Sequence, residues 1–233
     1  MEALLSYYQI IVYSLACVWL IIMLTKPDVR REMIILGVLA LFLLPLAFTV
    51  NTSTADEVEQ GFRALSLLDL LFSFFLAGIA GSIYHAIFGK HYHRLPKSKP
   101  LVRQAGQLFS QFWLVRLFLA FLIFAWSVVL IAFLFSLPIP SAVLIGATGV
   151  AVYLLSHRKD LLVDTLASAL LTTFVVFLSA WTASQFAQID FTIAPVVSST
   201  LILGVPGDLL AWSASLGLAI GPLYEFIRRF ELS

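Results

Sequence analysis

The sequence predicts an all-α membrane protein, a polytopic helix bundle of about seven spans. Three observations carry this. Hydrophobic residues make up 61% of the chain and charged residues only 12%, where a soluble domain carries about a quarter charged. The apolar residues are gathered into seven stretches. The loops between those stretches alternate in charge. Twelve of the fourteen Lys and Arg fall on one side: Lys26, Arg30, Arg31, Lys90, Arg94, Lys97, Lys99, Arg103, Arg158, Lys159, Arg228 and Arg229. Loops on the other side hold Arg63 alone. Lys and Arg stay cytoplasmic, so the pattern predicts an outer N-terminus and a cytoplasmic C-terminus.

The spans are expected near 4–24, 33–50, 65–88, 112–136, 140–156, 161–184 and 207–228. Each approaches the length of about 20 apolar residues needed to cross the hydrocarbon. The first is too long for a signal-peptide core and lacks a basic leader, so it reads as a span. Pro138 and Pro140 mark the turn between spans four and five. Pro195 and Pro206 interrupt the apolar segment 185–206, expected to lie along the outer interface. The single Cys17 excludes a disulfide within the chain.

An internal repeat organises these spans. Leu24-Thr25-Lys26-Pro27-Asp28 follows span one, and Leu155-Ser156-His157-Arg158-Lys159-Asp160 follows span five. Glu32 then aligns with Asp164. Asp69-Leu70-Leu71 opens span three and Asp208-Leu209-Leu210 opens span seven. Farther on, Gly81-Ser82-Ile83-Tyr84-His85 matches Gly221-Pro222-Leu223-Tyr224-Glu225, with a one-residue offset between the two matches. Both copies start outside and end inside. The expected arrangement is a parallel 3+1+3 repeat: 1–110, a linker span at 111–137, and 138–233.

Ionisable residues within spans are costly and face a bundle interior or cavity. Asp69 and Asp208 lie near the outer ends of spans three and seven, as proton donors or as helix N-terminal acids. His85 and Glu225 lie near the inner ends, roughly 24 Å farther along each axis. Glu225 also reads as a partner of Arg228 or Arg229 at the cytoplasmic edge. Arg116 reads as a structural ion pair with Asp164, Glu32 or Glu225, or as a snorkelling side chain. Phe72 beside Asp69 and Trp212 beside Asp208 read as packing aromatics or as faces that stabilise a carbocation. Tyr84 and Tyr224 are further candidates for substrate contact. His91-Tyr92-His93 with His85 matches no strong metal-ligand spacing, and the basic loop repels a cation, so neither metal nor cofactor is expected. Gly217 with Gly221, and Ala77 with Gly81, read as close helix contacts.

Two three-span repeats, each with an acid opening its third helix, resemble the integral-membrane lycopene cyclases of the heterodimeric or fused type. The stretches carrying the resemblance are Ser66-Leu67-Leu68-Asp69, Val205-Pro206-Gly207-Asp208 and Gly221-Pro222-Leu223-Tyr224-Glu225. The family's acidic motif is Pro-x-Glu-Glu or a near variant. Here the first half lacks the proline and each half carries one acid. The resemblance implies proton-initiated cyclisation of a carotene end group in carotenoid biosynthesis, an isomerase-type reaction. Asp69 and Asp208 would be its acid and base, with Glu225 a third candidate. It also implies a hydrophobic isoprenoid or other lipid as substrate.

Other classes compete. A small transporter would need polar mid-span residues, and Thr172, Thr173, Ser179, Ser213 and Ser215 are thin lining for a sugar. A non-catalytic membrane protein binding a hydrophobic ligand fits the single acids. A retinal Schiff base needs a mid-span lysine, whereas all five lysines fall in cytoplasmic loops. The basic stretch 90–103 is juxtamembrane and faces anionic lipid rather than nucleic acid. Self-association is left open.

Overall fold

Long apolar runs dictate helices, even across Pro45, and the computed structural model is almost entirely helical among the described residues. It describes residues 2–49, 67–89, 92–94, 113–137, 139–187, 201–228 and 230–232. Arg63, most of the basic stretch 90–103 and most of segment 185–206 lie outside the described residues. In chain order the elements are α1 (Glu2–Thr25), α2 (Arg30–Thr49), α3 (Leu67–Ala80), α4 (Ile83–Phe88) and β1 (Tyr92–Arg94). Then come α5 (Trp113–Phe135), α6 (Ile139–His157) and α7 (Leu162–Ala187). The chain continues with β2 (Leu201–Ile202), β3 (Val205–Pro206), α8 (Gly207–Ile220), α9 (Leu223–Arg228) and β4 (Phe230–Leu232).

Four stretches are long and apolar enough to cross a membrane: Tyr7–Thr25, Trp113–Phe135, Lys159–Phe186 and Gly207–Ile227. Their outward faces are apolar. Phe133 is 80% exposed and Phe186 75%, while Asp164 and Glu225 are wholly buried. Apolar outside and polar inside is the inverse of a water-soluble bundle. It is the arrangement that lipid demands, and it defines an integral membrane protein.

Two sharp reversals have the same construction. After α1 the chain makes a single 3-10 turn, Pro27–Val29, closed by Val29 N–H donating to Lys26 O at 3.3 Å. After α6 it makes another, Lys159–Leu161, with Leu161 N–H donating to Arg158 O at 3.3 Å. The residues before these turns, Lys26 and Arg158, share an extended backbone (φ −124°, ψ 83° and φ −143°, ψ 81°). Arg30 donates to the terminal carbonyls of α1 at Met23 and Leu24, satisfying acceptors that the helix end leaves open. Arg158 instead pairs with Asp160 through two hydrogen bonds.

The expectation of one continuous helix for span three and for span seven is corrected. α3 and α8 are each 14 residues long, and each is followed by a two-residue turn and a six-residue helix. Different chemistry makes the two bends. Pro222 has no N–H to donate, and its ring crowds the carbonyl one turn back. At Ser82 the N–H donates instead to Ile79 O at 3.0 Å, and the hydroxyl donates to the carbonyl of Gly78 at 2.7 Å that this N–H would take in a regular helix. Regular helical bonding resumes beyond each bend, Ala86 to Ser82 and Phe226 to Pro222. The one-residue offset in the sequence is absorbed at the helix starts: Asp69 is the third residue of α3 and Asp208 the second of α8.

α3 packs on α2, and α8 packs on α7; α1 packs on α3 and α7, and α6 on α5 and α8. Glycine permits the closest of these approaches. A Cβ on Gly217 would lie 2.5 Å from Ala169 Cα, in the α7 backbone. The strands β1 and β4 pair antiparallel, Tyr92 opposite Leu232 and Arg94 opposite Phe230.

Candidate functional site

The bends decide where the polar side chains go. Beyond them, α4 and α9 turn His85 and Glu225 inward, where both are buried. His85 Nε2 lies 2.9 Å from Glu225 Oε1, within hydrogen-bond distance. Asp164, on the first turn of α7, places its Oδ2 3.9 Å from the same nitrogen. Its other oxygen, Oδ1, accepts from the Ser168 hydroxyl at 3.1 Å. Glu32, on the first turn of α2, is 3% exposed and acts electrostatically on both His85 and Asp164. The ring of Tyr84 stands edge-on to His85, with centroids 5.1 Å apart. One nitrogen ligand and two carboxylates thus converge, with ligand atoms of His85, Asp164 and Glu225 all within 4.8 Å of one another.

The expected outer pair occupies a different place. Asp69 is half-buried and Asp208 exposed. Between their helices Phe72 and Trp212 stack nearly parallel, centroids 5.3 Å apart and planes 15° from each other. Both rings are buried, and Tyr8 of α1 packs on Phe72 at 5.6 Å. Tyr224 lies elsewhere, edge-on to Trp113 of α5 at 5.6 Å.

The structure therefore brings Phe72 to Trp212, and Tyr84 and Glu225 to His85. Glu225 lies at the far end of α8–α9 from Asp208. It turns inward to His85 and is wholly buried, while Arg229 and the side chain of Arg228, its expected partners, lie outside the described residues. Asp164 and Glu32 are members of the inner cluster that the sequence reading placed only as possible partners of Arg116. The signal for them was present: they are the aligned acids that follow the two matched turns.

Four of the five residues named for a transporter lining make local bonds, while the buried hydroxyl of Thr172 has no hydrogen-bond partner among the described residues. Thr173, Ser179, Ser213 and Ser215 donate to Ala169, Val175, Leu210 and Ala211 carbonyls of their own helices. Apolar grooves open instead on the bundle surface, one between α7 and α8 lined by Leu170, Phe174, Phe177 and Leu210, another between α2 and α5.

Fold and site together define a polytopic helical membrane protein with a buried His–carboxylate cluster near one end of its bundle. Compared with protein-family models, curated proteins and solved structures, the chain matches none.

Proposed function

We propose that this chain is a lycopene cyclase-like enzyme of carotenoid biosynthesis, catalysing proton-initiated ring closure of a linear isoprenoid end group within the membrane. The observation that carries the reading is the Phe72–Trp212 stack, where the two acid-bearing helices meet one turn inward of Asp69 and Asp208. One acid protonates the terminal alkene. The resulting cation is attacked by a neighbouring double bond and closes a six-membered ring. The second carboxylate then removes a proton, so no net redox change occurs. Aromatic faces beside the acids stabilise the cation. Glu225, Tyr84 and Tyr224 lie toward the other end of the bundle and are left outside this proton transfer.

The architecture we infer is seven spans in a parallel 3+1+3 repeat, with the N-terminus outside and the C-terminus cytoplasmic. Its support is the recurrence of construction: matched 3-10 turns, then 14-residue helices, then bends and six-residue helices. Support for the orientation is the sorting of Lys and Arg.

The test is to express the chain in cells that accumulate lycopene and separate the pigments by chromatography. Cyclic carotenes are expected from the wild type, with a loss of about 100-fold or more in Asp69→Asn and Asp208→Asn. Unchanged lycopene beside folded membrane protein would reject the cyclase. A second reading, a carrier or non-catalytic binder of a hydrophobic ligand, would then stand. The exposure of Asp208 and the apolar groove between α7 and α8 favour that alternative.

A further inference from the structure

The inner cluster takes no part in that chemistry, and its composition is unusual for packing alone. Three carboxyls and one imidazole are enclosed among α2, α4, α7 and α9, each at most 3% exposed. Charge buried in such a place is costly, and like charges held together are costlier still. A cation bound among them removes both penalties at once.

We propose that His85, Asp164 and Glu225 hold a divalent transition-metal ion of the zinc or manganese class, with Glu32 close beside it. The donor set is an imidazole nitrogen and carboxylate oxygens, which suits these ions. The spacing suits them too. Bonds of about 2.0–2.1 Å in a tetrahedron set ligand atoms roughly 3.3 Å apart. Here Glu225 Oε1 and Asp164 Oδ2 lie 2.9 and 3.9 Å from His85 Nε2.

A second observation points to a ligand independently of the acids. Asp164 is 0% exposed, yet its Oδ2 accepts no hydrogen bond among the described residues while it faces the imidazole. Buried carboxylate oxygens are ordinarily paired, and a metal ion would occupy this one. The outer support that metal ligands need is also in place, since Ser168 holds the other oxygen of Asp164. The ligands come from α4, α7 and α9, so the ion would tie the two halves of the sequence together.

The experiment uses the full chain purified in detergent micelles and stripped with a chelator. Zinc, cobalt and manganese are added in turn, and bound metal is counted by elemental analysis; cobalt is also followed by its visible ligand-field bands. One ion per chain is expected, with cobalt bands of low-symmetry character. Asp164→Asn and Glu225→Gln keep side-chain shape, and His85→Gln keeps a polar group. Each is expected to weaken binding at least tenfold while the helical circular dichroism is retained. His91→Ala with His93→Ala is expected to leave binding unchanged. Failure of all three metals to bind the wild type overturns the site. So does undiminished affinity in the folded Asp164→Asn and Glu225→Gln variants, or loss of binding only in the His91/His93 variant. None of these readouts depends on carotene chemistry.

Discussion

At the scale of single residues, the contrast between two glycines measures how tightly the bundle is closed. Gly217 faces the α7 backbone, with Ser168 O at 2.7 Å and Ala169 N at 2.8 Å from the site of a Cβ. Backbone cannot rotate aside as a side chain can. Gly217→Ala is therefore expected to destabilise by about 1–3 kcal/mol, the ordinary cost of overpacking. Gly149 on α6 has no atom within 4 Å of such a Cβ. There Gly149→Ala adds no clash and gains helix propensity, so it is expected to be neutral or stabilising by up to about 1 kcal/mol. Unfolding midpoints of both variants in one detergent check the pair, and equal shifts would contradict the seam. Gly217 and Gly221 read as a close contact from spacing alone. What spacing could not give was the partner, because choosing α7 over other apolar helices is a matter of three-dimensional packing.

Among elements, the two bends have the largest effect, since they aim His85 and Glu225 at each other. Pro222 announces its bend in the sequence, but Ser82 does not, because hydroxyls such as those of Thr173 and Ser179 make the same back-bond within an unbroken helix. For this reason a continuous span was the natural expectation for 65–88. The matched segments around Gly81 and Gly221 located both bends without revealing their direction, and direction is what brings the side chains together. Beyond the same bends, β1 pairs with β4. With Cys17→Ala as background, Tyr92→Cys and Leu232→Cys face each other across the ladder. Opposed antiparallel positions fall within the Cα separation a disulfide accepts. Efficient cross-linking is expected in this pair. Adding Pro222→Ala, which lets α8 run on toward α9, is expected to reduce the cross-linked fraction several-fold. An unchanged fraction would mean that the proline does not set the ribbon.

For the whole molecule, composition alone was enough to read helices and membrane, because lipid leaves no other solution for so apolar a chain. Helix ends were legible to within a few residues where charge or proline marks them, as at Lys26-Pro27 and Arg158-Lys159. Which of the ionisable groups meet was not legible. Glu225 precedes Arg228 by three residues, and local spacing offered an ion pair at the membrane edge; it could not offer the contact with His85, 140 residues away. Orientation is tested by labelling. With Cys17→Ala as background, Arg158→Cys is expected to resist a membrane-impermeant thiol reagent in intact cells and to react after permeabilisation. Labelling in intact cells would reverse the inferred orientation.

The pairing of His85 with Glu225 also sets a clock on biosynthesis. The two residues are 140 positions apart, and chains grow at about 5–20 residues per second. His85 therefore enters the bilayer on the order of ten seconds before its partner is made. During that interval the first half carries a polar group whose final acceptor does not yet exist. A chain truncated before α9 is accordingly expected to lack the partner that His85 meets in the folded bundle.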